Sequence, residues 1–177
     1  MGAVVAAFHL GLSLSDIGEG LRAFQGVRRR TEVVGEVRGI TVIDDFAHHP
    51  TAVRATLEAI RSRFTGGRLW AIFEPRTQTV RRGFLQRELA LALGEADHVV
   101  IGKIPSPPVG GTGLDPHRLV HDIRGAKGSD AIYMEDPEEI VAHCAEGVRS
   151  GDVVVVMSSG YFAGLPGGIF NALKDSS

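Results

Sequence analysis

The sequence predicts an α/β protein whose mostly parallel sheet carries helices on both faces. Hydrophobic residues make up 44% of the chain and charged residues 23%, a composition that supports a buried core. Short apolar runs alternate with segments of helical periodicity, and the apolar runs are 69–73, 97–101, 131–134 and 153–157. Strands that are apolar throughout are typical of parallel sheets buried on both sides, and right-handed crossovers between them give a Rossmann-like, doubly wound layout.

The first 25 residues precede this alternation and are predicted to form a helical arm. Residues 3–10 suit a helix that ends at Gly11, and Ser15 is placed to cap a second helix that runs to about Phe24. The domain proper then covers 26–177, a length that fits one domain.

A β-hairpin is predicted at the start of this domain, because two β-prone runs, 29–34 and 40–43, flank the glycine-bearing segment 35–39. Pro50 can open the helix that follows, since its missing N–H is not needed in a first turn. Helices are expected at 50–64, 80–93, 117–123, 137–148 and 168–173.

Charge and composition narrow the function. The chain has 19 Lys and Arg against 21 Asp and Glu, a formal net charge of -2, which argues against a general nucleic-acid binder. Its one cysteine rules out an internal disulfide or a cysteine-rich metal site. No apolar run approaches the roughly 18 residues that cross a bilayer, so a cytoplasmic protein with no membrane or nucleic-acid partner is expected.

Ligands of doubly wound sheets bind beyond the carboxyl ends of the strands, so the loops there are the candidate site. The first loop carries two carboxylates and two imidazoles, in the run Asp44-Asp45-Phe46-Ala47-His48-His49-Pro50. Carboxylates suit sugar hydroxyls or Mg²⁺ through water, and imidazole donates to phosphate or exchanges protons near neutrality. Two alternatives stay open: helix capping beside a surface histidine pair, and a zinc site, although a spaced third ligand is not evident.

The next strand end carries Glu74, Arg76 and Thr77. Arg76 could grip a carboxylate or a phosphate with two parallel hydrogen bonds, and Glu74 could hold an amino group or orient Arg76. The alternative is a surface Glu–Arg pair at a proline turn. The Gly- and Pro-rich segment 102–115, after the third strand end, is either a lid, a binding loop or a plain connector.

The last strand ends at Ser158, Ser159 and Gly160, small residues ahead of a helix start that could seat an anion. The chain contains neither a Gly-x-x-x-x-Gly-Lys-[Ser/Thr] phosphate loop nor a Gly-x-Gly-x-x-Gly sequence after the first strand. The basic run 28–30 enters the hairpin, where strand alternation would place Arg29 opposite its two neighbours. One of these arginines is expected to reach a nucleotide phosphate; a solvated basic edge is the alternative.

The runs 26–32 and 44–50 together resemble the C-terminal domain of the Mur ligases, in which an Arg-Arg pair precedes Asp-Asp-Tyr-x-His-His-Pro. Phe46 in place of the tyrosine, with the run Phe73-Glu74-Pro75-Arg76, resembles the Mpl branch of that family most closely. That branch joins UDP-N-acetylmuramate to the tripeptide L-alanyl-γ-D-glutamyl-meso-diaminopimelate in peptidoglycan recycling. The UDP-N-acetylmuramate–L-alanine ligases and a stand-alone α/β binding module are the alternatives.

The resemblance implies one domain of a three-domain, ATP-dependent ligase. ATP would phosphorylate the muramoyl carboxylate, the peptide amino group would attack the acyl phosphate, and Mg²⁺ would be held mainly by the central domain. By position, Arg30 and Asp45 match ATP contacts, and His48 matches a catalytic residue at the interdomain nucleophile site. Contacts with the peptide are matched by Glu74, Arg76, Thr77, Ser158, Ser159 and Gly160.

The resemblance also implies that residues 1–25 are the tail of the central ATPase domain. The expected partners are UDP-N-acetylmuramate, the murein tripeptide, and the protein's own central and N-terminal domains. The isolated chain is expected to fold but not to ligate, because the phosphate loop and a carbamylated lysine belong to the central domain.

Overall fold

A computed structural model describes residues 2–24, 26–104 and 113–175 and confirms the α/β prediction. Most of the segment 102–115, for which a lid, a binding loop or a connector was expected, lies outside the described residues. The strands are β1 (Glu32–Val37), β2 (Ile40–Asp45), β3 (Leu69–Phe73), β4 (His98–Ile101), β5 (Asp130–Tyr133) and β6 (Val153–Met157). The helices are α1 (Gly2–His9), α2 (Leu14–Ala23), α3 (Pro50–Arg63), α4 (Gln78–Arg81), α5 (Gln86–Leu93), α6 (Pro116–Lys127), α7 (Pro137–Gly147) and α8 (Leu165–Asp175), with a 3-10 turn at Phe162–Gly164.

The six strands form one sheet in the order β1-β2-β6-β3-β4-β5, in which β1 runs antiparallel to β2 and all other neighbours are parallel. The last residues of the central strands pair side by side, since Asp45 and Phe73 both pair with Met157, and Phe73 pairs with Ile101. The residues that follow these strands therefore emerge level with each other at one edge of the sheet.

Helices cover both faces of the sheet and bury two separate cores. Helices α3, α5 and α6 pack on one face, against the odd-numbered residues of β3 and β6, while α7 and α8 pack on the other. Each fully buried Leu, Ile, Val or Phe side chain contributes roughly 1.5–3 kcal/mol. Because β6 lies between β2 and β3 but sends its helix to the opposite face, a ligand crevice is expected on each side of β6 by the rule for such sheets.

The hairpin begins three residues later than predicted. Residues 29–31 form an irregular turn in which Arg29 (φ 57°) and Thr31 (φ 49°) adopt left-handed conformations, so the strand prediction for 29–34 was wrong at its start. Arg38 (φ 55°) and Gly39 (φ 74°) make the two-residue connection to β2, and positive φ at both positions is the requirement of a type I′ turn.

The helix predicted at 80–93 is divided into α4 and α5. Gly83 breaks it with φ 77°, and a Cβ at this position would lie 2.7 Å from the carbonyl oxygen of Gly113. The break therefore depends on a segment thirty residues away, which helical periodicity does not report. Helix α2 is capped by Ser13, whose Oγ accepts from the N–H of Asp16 at 3.1 Å, and not by Ser15 as predicted.

The helical arm, α1 and α2, carries many exposed apolar side chains. None of the residues described for α1 is buried, and in α2 only Ile17 is. The exposed apolar residues of this region are Val5, Phe8, Leu10, Leu12, Leu14, Leu21, Phe24 and Val27. None of the helices in the described part of the chain has the length and apolar character needed to cross a membrane.

Candidate functional site

Asp45 is the last residue of β2 and is 3% exposed. Its carboxylate accepts hydrogen bonds from the N–H of Thr31 (2.7 Å), the N–H of Ala47 (2.7 Å) and the hydroxyl of Thr56 (3.2 Å). Burial of a charged group is tolerated only with such partners. Asp45 therefore joins the turn before β1, the loop after β2 and helix α3.

Arg29 bridges the ends of β2 and β6. Its Nε lies 3.1 Å from Asp44 Oδ2, and its Nη2 donates to the carbonyl of Ser158 at 2.8 Å. Burial raises the pKa of Asp44, and the Arg29 guanidinium beside it offsets only part of that rise. The backbone of Arg29 is held as well, because its N–H donates to Glu32 and its carbonyl accepts from Phe46.

The aromatic ring of Phe46 packs against two cationic side chains. The guanidinium carbons of Arg29 and Arg30 lie 5.6 and 5.3 Å from the ring centre, within the range of a cation–π contact. Arg30 is exposed, so its charge is presented to solvent above the carboxyl end of β2. His48 packs edge-on against the same ring, with Nδ1 2.9 Å from the Phe46 carbonyl oxygen.

The end of β3 presents one buried carboxylate and one exposed guanidinium. Glu74 is buried and accepts a hydrogen bond from the hydroxyl of Ser158. Arg76 Nη1 lies 3.5 Å from Glu74 Oε1, and the side chain of Arg76 is 49% exposed. Thr77 precedes α4, and its buried Oγ1 has no hydrogen-bond partner among the described residues.

The end of β6 lies between these two groups. Ser158 is 1% exposed, and its Oγ accepts from the N–H of Gly160 at 2.9 Å while donating to Glu74. Gly160 lies directly against the Arg76 side chain, since a Cβ there would come within 2.5 Å of Arg76 Nε. Ser159 and Gly160 are half-buried.

A groove of about 680 Å³ continues from this edge between the hairpin and the start of α8. Arg28, Arg29 and Asp44 line one side, and residues 160–167 supply part of the other. Phe162 (φ 43°) and Ala163 (φ 52°) adopt left-handed conformations here, as Arg29 and Thr31 do across the groove. Such strained backbone persists only where its surroundings enforce it, and it clusters at functional sites.

The residues predicted from the sequence are thus on one edge of the sheet: Arg30, Asp45 and His48 after or beside β2, Glu74, Arg76 and Thr77 after β3, and residues 158–160 after β6. Three of them, Asp45, Glu74 and Ser158, are buried and have polar partners within the chain. Arg30 was selected over Arg29 by its match to a family position, yet Arg29 makes the contacts between strand ends. The tandem arginines were the available signal, but the left-handed φ of Arg29 cannot be read from them.

The two carboxylates at the end of β2 are already engaged in protein contacts and are not free to bind a metal ion. Both oxygens of Asp45 are occupied by protein donors, and Asp44 is paired with Arg29. Within 2–24, 26–104 and 113–175, no group of three or more His, Cys, Asp or Glu residues is placed to hold a metal ion.

Comparison with known proteins gives concordant matches. The profile of the Mur ligase glutamate ligase domain matches residues 29–160. A UDP-N-acetylmuramate–L-alanyl-γ-D-glutamyl-meso-2,6-diaminoheptandioate ligase from Haemophilus influenzae is 37% identical over 176 residues, 97% of this chain and 36% of the relative. A UDP-N-acetylmuramate–L-alanine ligase from Acetivibrio thermocellus is 36% identical over 160 residues, 90% of this chain and 34% of the relative.

A solved structure agrees with these sequences. The murein peptide ligase Mpl from Psychrobacter arcticus is 33% identical, with a TM-score of 0.72 over 98% of this chain and 35% of that one. The chain thus spans about a third of the length of the relatives that it matches. The chain belongs to the Mur ligase family, whose glutamate ligase domain its residues 29–160 match.

Proposed function

We propose that this chain is the domain of an ATP-dependent carbon–nitrogen ligase that receives the amino acceptor and completes the ATP site. In the reaction, the carboxylate of UDP-N-acetylmuramate is joined to the amino group of the tripeptide L-alanyl-γ-D-glutamyl-meso-diaminopimelate. The observation that carries this proposal is the placement of two exposed cations at the strand ends on either side of β6: Arg30 over the end of β2 and Arg76 over the end of β3.

The β2 side suits the nucleotide. The Arg30 guanidinium is exposed and supported by the Phe46 ring, so it can pair with a phosphate without first breaking an internal ion pair. Both oxygens of Asp45 already accept protein hydrogen bonds and the residue is 3% exposed, so we infer that it serves ATP by fixing Thr31 next to Arg30. A ribose contact of Asp45 would require that its carboxylate becomes exposed.

The β3 side suits the acceptor. Arg76 presents a half-exposed guanidinium fork, which matches the geometry of a peptide carboxylate. Ser159 and Gly160 would contact the rest of the peptide. Thr77, whose buried hydroxyl has no partner among the described residues, would contact it only after its side chain turns outward. His48 would accept the proton of the attacking amine through Nε2, in the tautomer whose Nδ1 donates to the Phe46 carbonyl.

The remainder of the reaction would lie in parts that correspond to the other two-thirds of the relatives. ATP would activate the muramoyl carboxylate, and the Mg²⁺ that accompanies it would be bound mainly there, since Asp44 and Asp45 are committed to protein contacts. The exposed apolar residues of α1 and α2 would pack on that central domain, and closure of the domains would exclude water. A cytoplasmic location follows from the use of ATP.

The alternative acceptor is L-alanine. Relatives of both types match the chain at similar identity, so overall similarity does not separate them. Phe46 and the run from Glu74 to Arg76 favour the tripeptide, as the resemblance of the sequence implied.

The test is an ADP-release assay of a full-length ligase that contains this chain as its domain. The tripeptide and L-alanine are compared as acceptors. Turnover with the tripeptide is expected, and the 177-residue chain alone should be inactive. Arg76→Ala should raise the tripeptide KM at least about tenfold with the ATP KM little changed, because an uncompensated carboxylate loses about 1.4 kcal/mol or more.

Arg124→Ala is the matched control, since this arginine is exposed near the end of α6, on the way to the opposite edge of the sheet. It should leave both KM values unchanged. An unaltered tripeptide KM in Arg76→Ala would remove Arg76 from the acceptor site, and exclusive use of L-alanine would select the alternative acceptor.

A further inference from the structure

A continuous set of polar contacts crosses the ends of three adjacent strands. We call this set the strand-end network: Asp44, Arg29, Ser158, Glu74 and Arg76. Arg29 pairs with Asp44 and donates to the Ser158 carbonyl, the Ser158 hydroxyl donates to Glu74, and Glu74 pairs with Arg76. It begins in the crevice on the β2 side of β6 and ends in the crevice on the β3 side.

Ser158 occupies the centre of this network and uses every polar atom of its side chain and its carbonyl. Its hydroxyl has one proton, which is given to Glu74, and an acceptor site, which is taken by the N–H of Gly160. The residue is 1% exposed, so a ligand in either crevice cannot touch its side chain without displacing these partners. Ser158 is therefore suited to position other groups and not to contact a substrate.

Glu74, at the end of β3, is likewise buried with its polar atoms engaged in contacts inside the protein. Its buried carboxylate is bonded to Ser158 on one oxygen and faces Arg76 with the other. The Arg76 side chain is confined from a second direction by Gly160, whose missing Cβ leaves room for the Arg76 Nε and Cδ atoms. The Gly160 backbone is in turn fixed by the Ser158 hydroxyl. The Ser158 hydroxyl is thus bonded to both groups that confine the Arg76 guanidinium, the Glu74 carboxylate and the Gly160 backbone.

The geometry points to Ser158 as a positioning residue that orients the acceptor-binding arginine, Arg76, through Glu74 and Gly160. Arg29 donates a hydrogen bond to the Ser158 carbonyl and so fixes Ser158 from the nucleotide side. This inference rests on the proposed function for the role of Arg76, although the network itself does not. A preorganised guanidinium binds a carboxylate more tightly because less side-chain freedom is lost on binding. Loss of Ser158 should therefore weaken acceptor binding with little effect on the chemical step.

The first experiment examines the network without any substrate. Arginine side-chain Nε relaxation is measured by NMR in the 177-residue chain, for the wild type and for Ser158→Ala. The Arg76 side chain should be ordered in the wild type, and its order parameter should fall to about 0.6 or below in the variant. Ser129→Ala is the matched control, because Ser129 is also buried and its hydroxyl also donates one hydrogen bond, to the Gly94 carbonyl, at the opposite edge of the sheet. An unchanged Arg76 order parameter in Ser158→Ala would overturn the inference.

The second experiment uses the ligase assay. Ser158→Ala and Glu74→Gln should each raise the tripeptide KM about tenfold, with kcat and the ATP KM within about twofold of the wild type. The double variant should be no worse than either single one, because both changes interrupt the same path. Equal losses in kcat and in both KM values, or additive effects, would indicate a general structural defect and would contradict a positioning role.

The two experiments separate the inference from the proposed function. If Arg76→Ala leaves the tripeptide KM unchanged, the proposed acceptor site is wrong, and the NMR result alone decides whether Ser158 orders Arg76. If Arg76→Ala raises the KM but Ser158→Ala does not, the acceptor site stands and the positioning role of Ser158 is refuted.

Discussion

Asp45 shows how a residue can have both a structural and a functional assignment. The sequence placed it in a polar loop as an ATP contact, but it is buried at the end of β2 with three hydrogen-bond donors around it. Asp45→Ala would leave these donors unsatisfied, at about 1–3 kcal/mol each. We expect it to lower the free energy of unfolding by at least about 3 kcal/mol, measured by urea denaturation.

The control for Asp45 is Asp115→Ala. Asp115 is exposed and caps α6, so its loss should cost only about 1 kcal/mol. A stability of Asp45→Ala within about 0.5 kcal/mol of the wild type would show that the buried carboxylate is dispensable for folding. Activity lost in Asp45 variants must therefore be corrected for the folded fraction before it is assigned to ATP.

Asp152 is the corresponding carboxylate at the amino-terminal edge of the sheet. It is bonded to the Arg68 guanidinium, to the indole N–H of Trp70 and to the backbone N–H groups of Arg68 and Arg149. Burial raises the pKa of Asp152, but the hydrogen bonds from Arg68 and Arg149 outweigh burial, so the pKa is lowered. The ionised form is therefore favoured by folding, and its stabilisation is present above the ordinary pKa of 3.8.

This stabilisation is lost as the pH falls below 3.8 and through the lowered pKa of the folded state. The free energy of unfolding of the wild type should exceed that of Asp152→Asn by about 2 kcal/mol or more at pH 7, and the difference should shrink steadily in acid. Glu146→Gln, at an exposed position of α7, should show no such pH-dependent difference. A difference that stayed constant down to pH 2 would disprove the linkage to Asp152.

At the scale of elements, strands buried on both faces could be predicted to the residue. The runs 69–73 and 153–157 coincide with β3 and β6, because a strand covered by helices on both sides must be apolar throughout. The errors occurred where distant contacts override local pattern. Gly83 breaks a helix against Gly113, and Arg29 takes a left-handed conformation enforced by Glu32 and Phe46.

The same distinction applies to the site. The candidate site was predicted at the carboxyl edge from the α/β layout, and Arg76 and Glu74 were selected by their side-chain chemistry. Both residues lie at that edge, while their role in acceptor binding stays a prediction. The burial of Asp45 and Ser158 could not be predicted, because it depends on Thr56, Thr31 and Glu74, which approach from other elements.

Two adjacent glycines before β3 offer a test of how close packing fixes an element. A Cβ on Gly67 would overlap the backbone carbonyl of Gly151, at the turn that leads into β6, whereas a Cβ on Gly66 would meet nothing within 4 Å. Gly67→Ala should push β3 away from β6 and lower the free energy of unfolding by about 2–3 kcal/mol. Gly66→Ala should be neutral or slightly stabilising, by up to about 1 kcal/mol. Equal urea midpoints for the two variants would show that the backbone approach at Gly67 is not tight.

The two edges of the sheet differ in how their charged residues are paired. At the amino edge, Arg68 and Asp152 form a compact ion pair that also holds the Gly147 carbonyl and the Trp70 indole. At the carboxyl edge, charges such as Arg30 and Arg76 are left exposed, and strained backbone is retained at Arg29 and Phe162. Stability contributed by the first edge offsets the cost of the exposed charge and strained backbone at the second edge.

The labelling rate of the single cysteine, Cys144, can show whether the protein unfolds as one cooperative unit. Cys144 is fully buried between α7 and the sheet, and burial raises the pKa of its thiol from 9.0 to about 12. A rise of about three pKa units lowers the thiolate fraction at pH 8 about a thousandfold, and the closed core also blocks access of a reagent.

Native protein at pH 8 should therefore react with a thiol reagent only through unfolded molecules. The labelling rate should rise steeply in urea along the unfolding transition, should be faster in Gly67→Ala and should be unchanged or slower in Gly66→Ala. Rapid labelling of the native wild type, or equal rates in the two glycine variants, would mean that the face covered by α7 and α8 opens separately from the rest of the sheet.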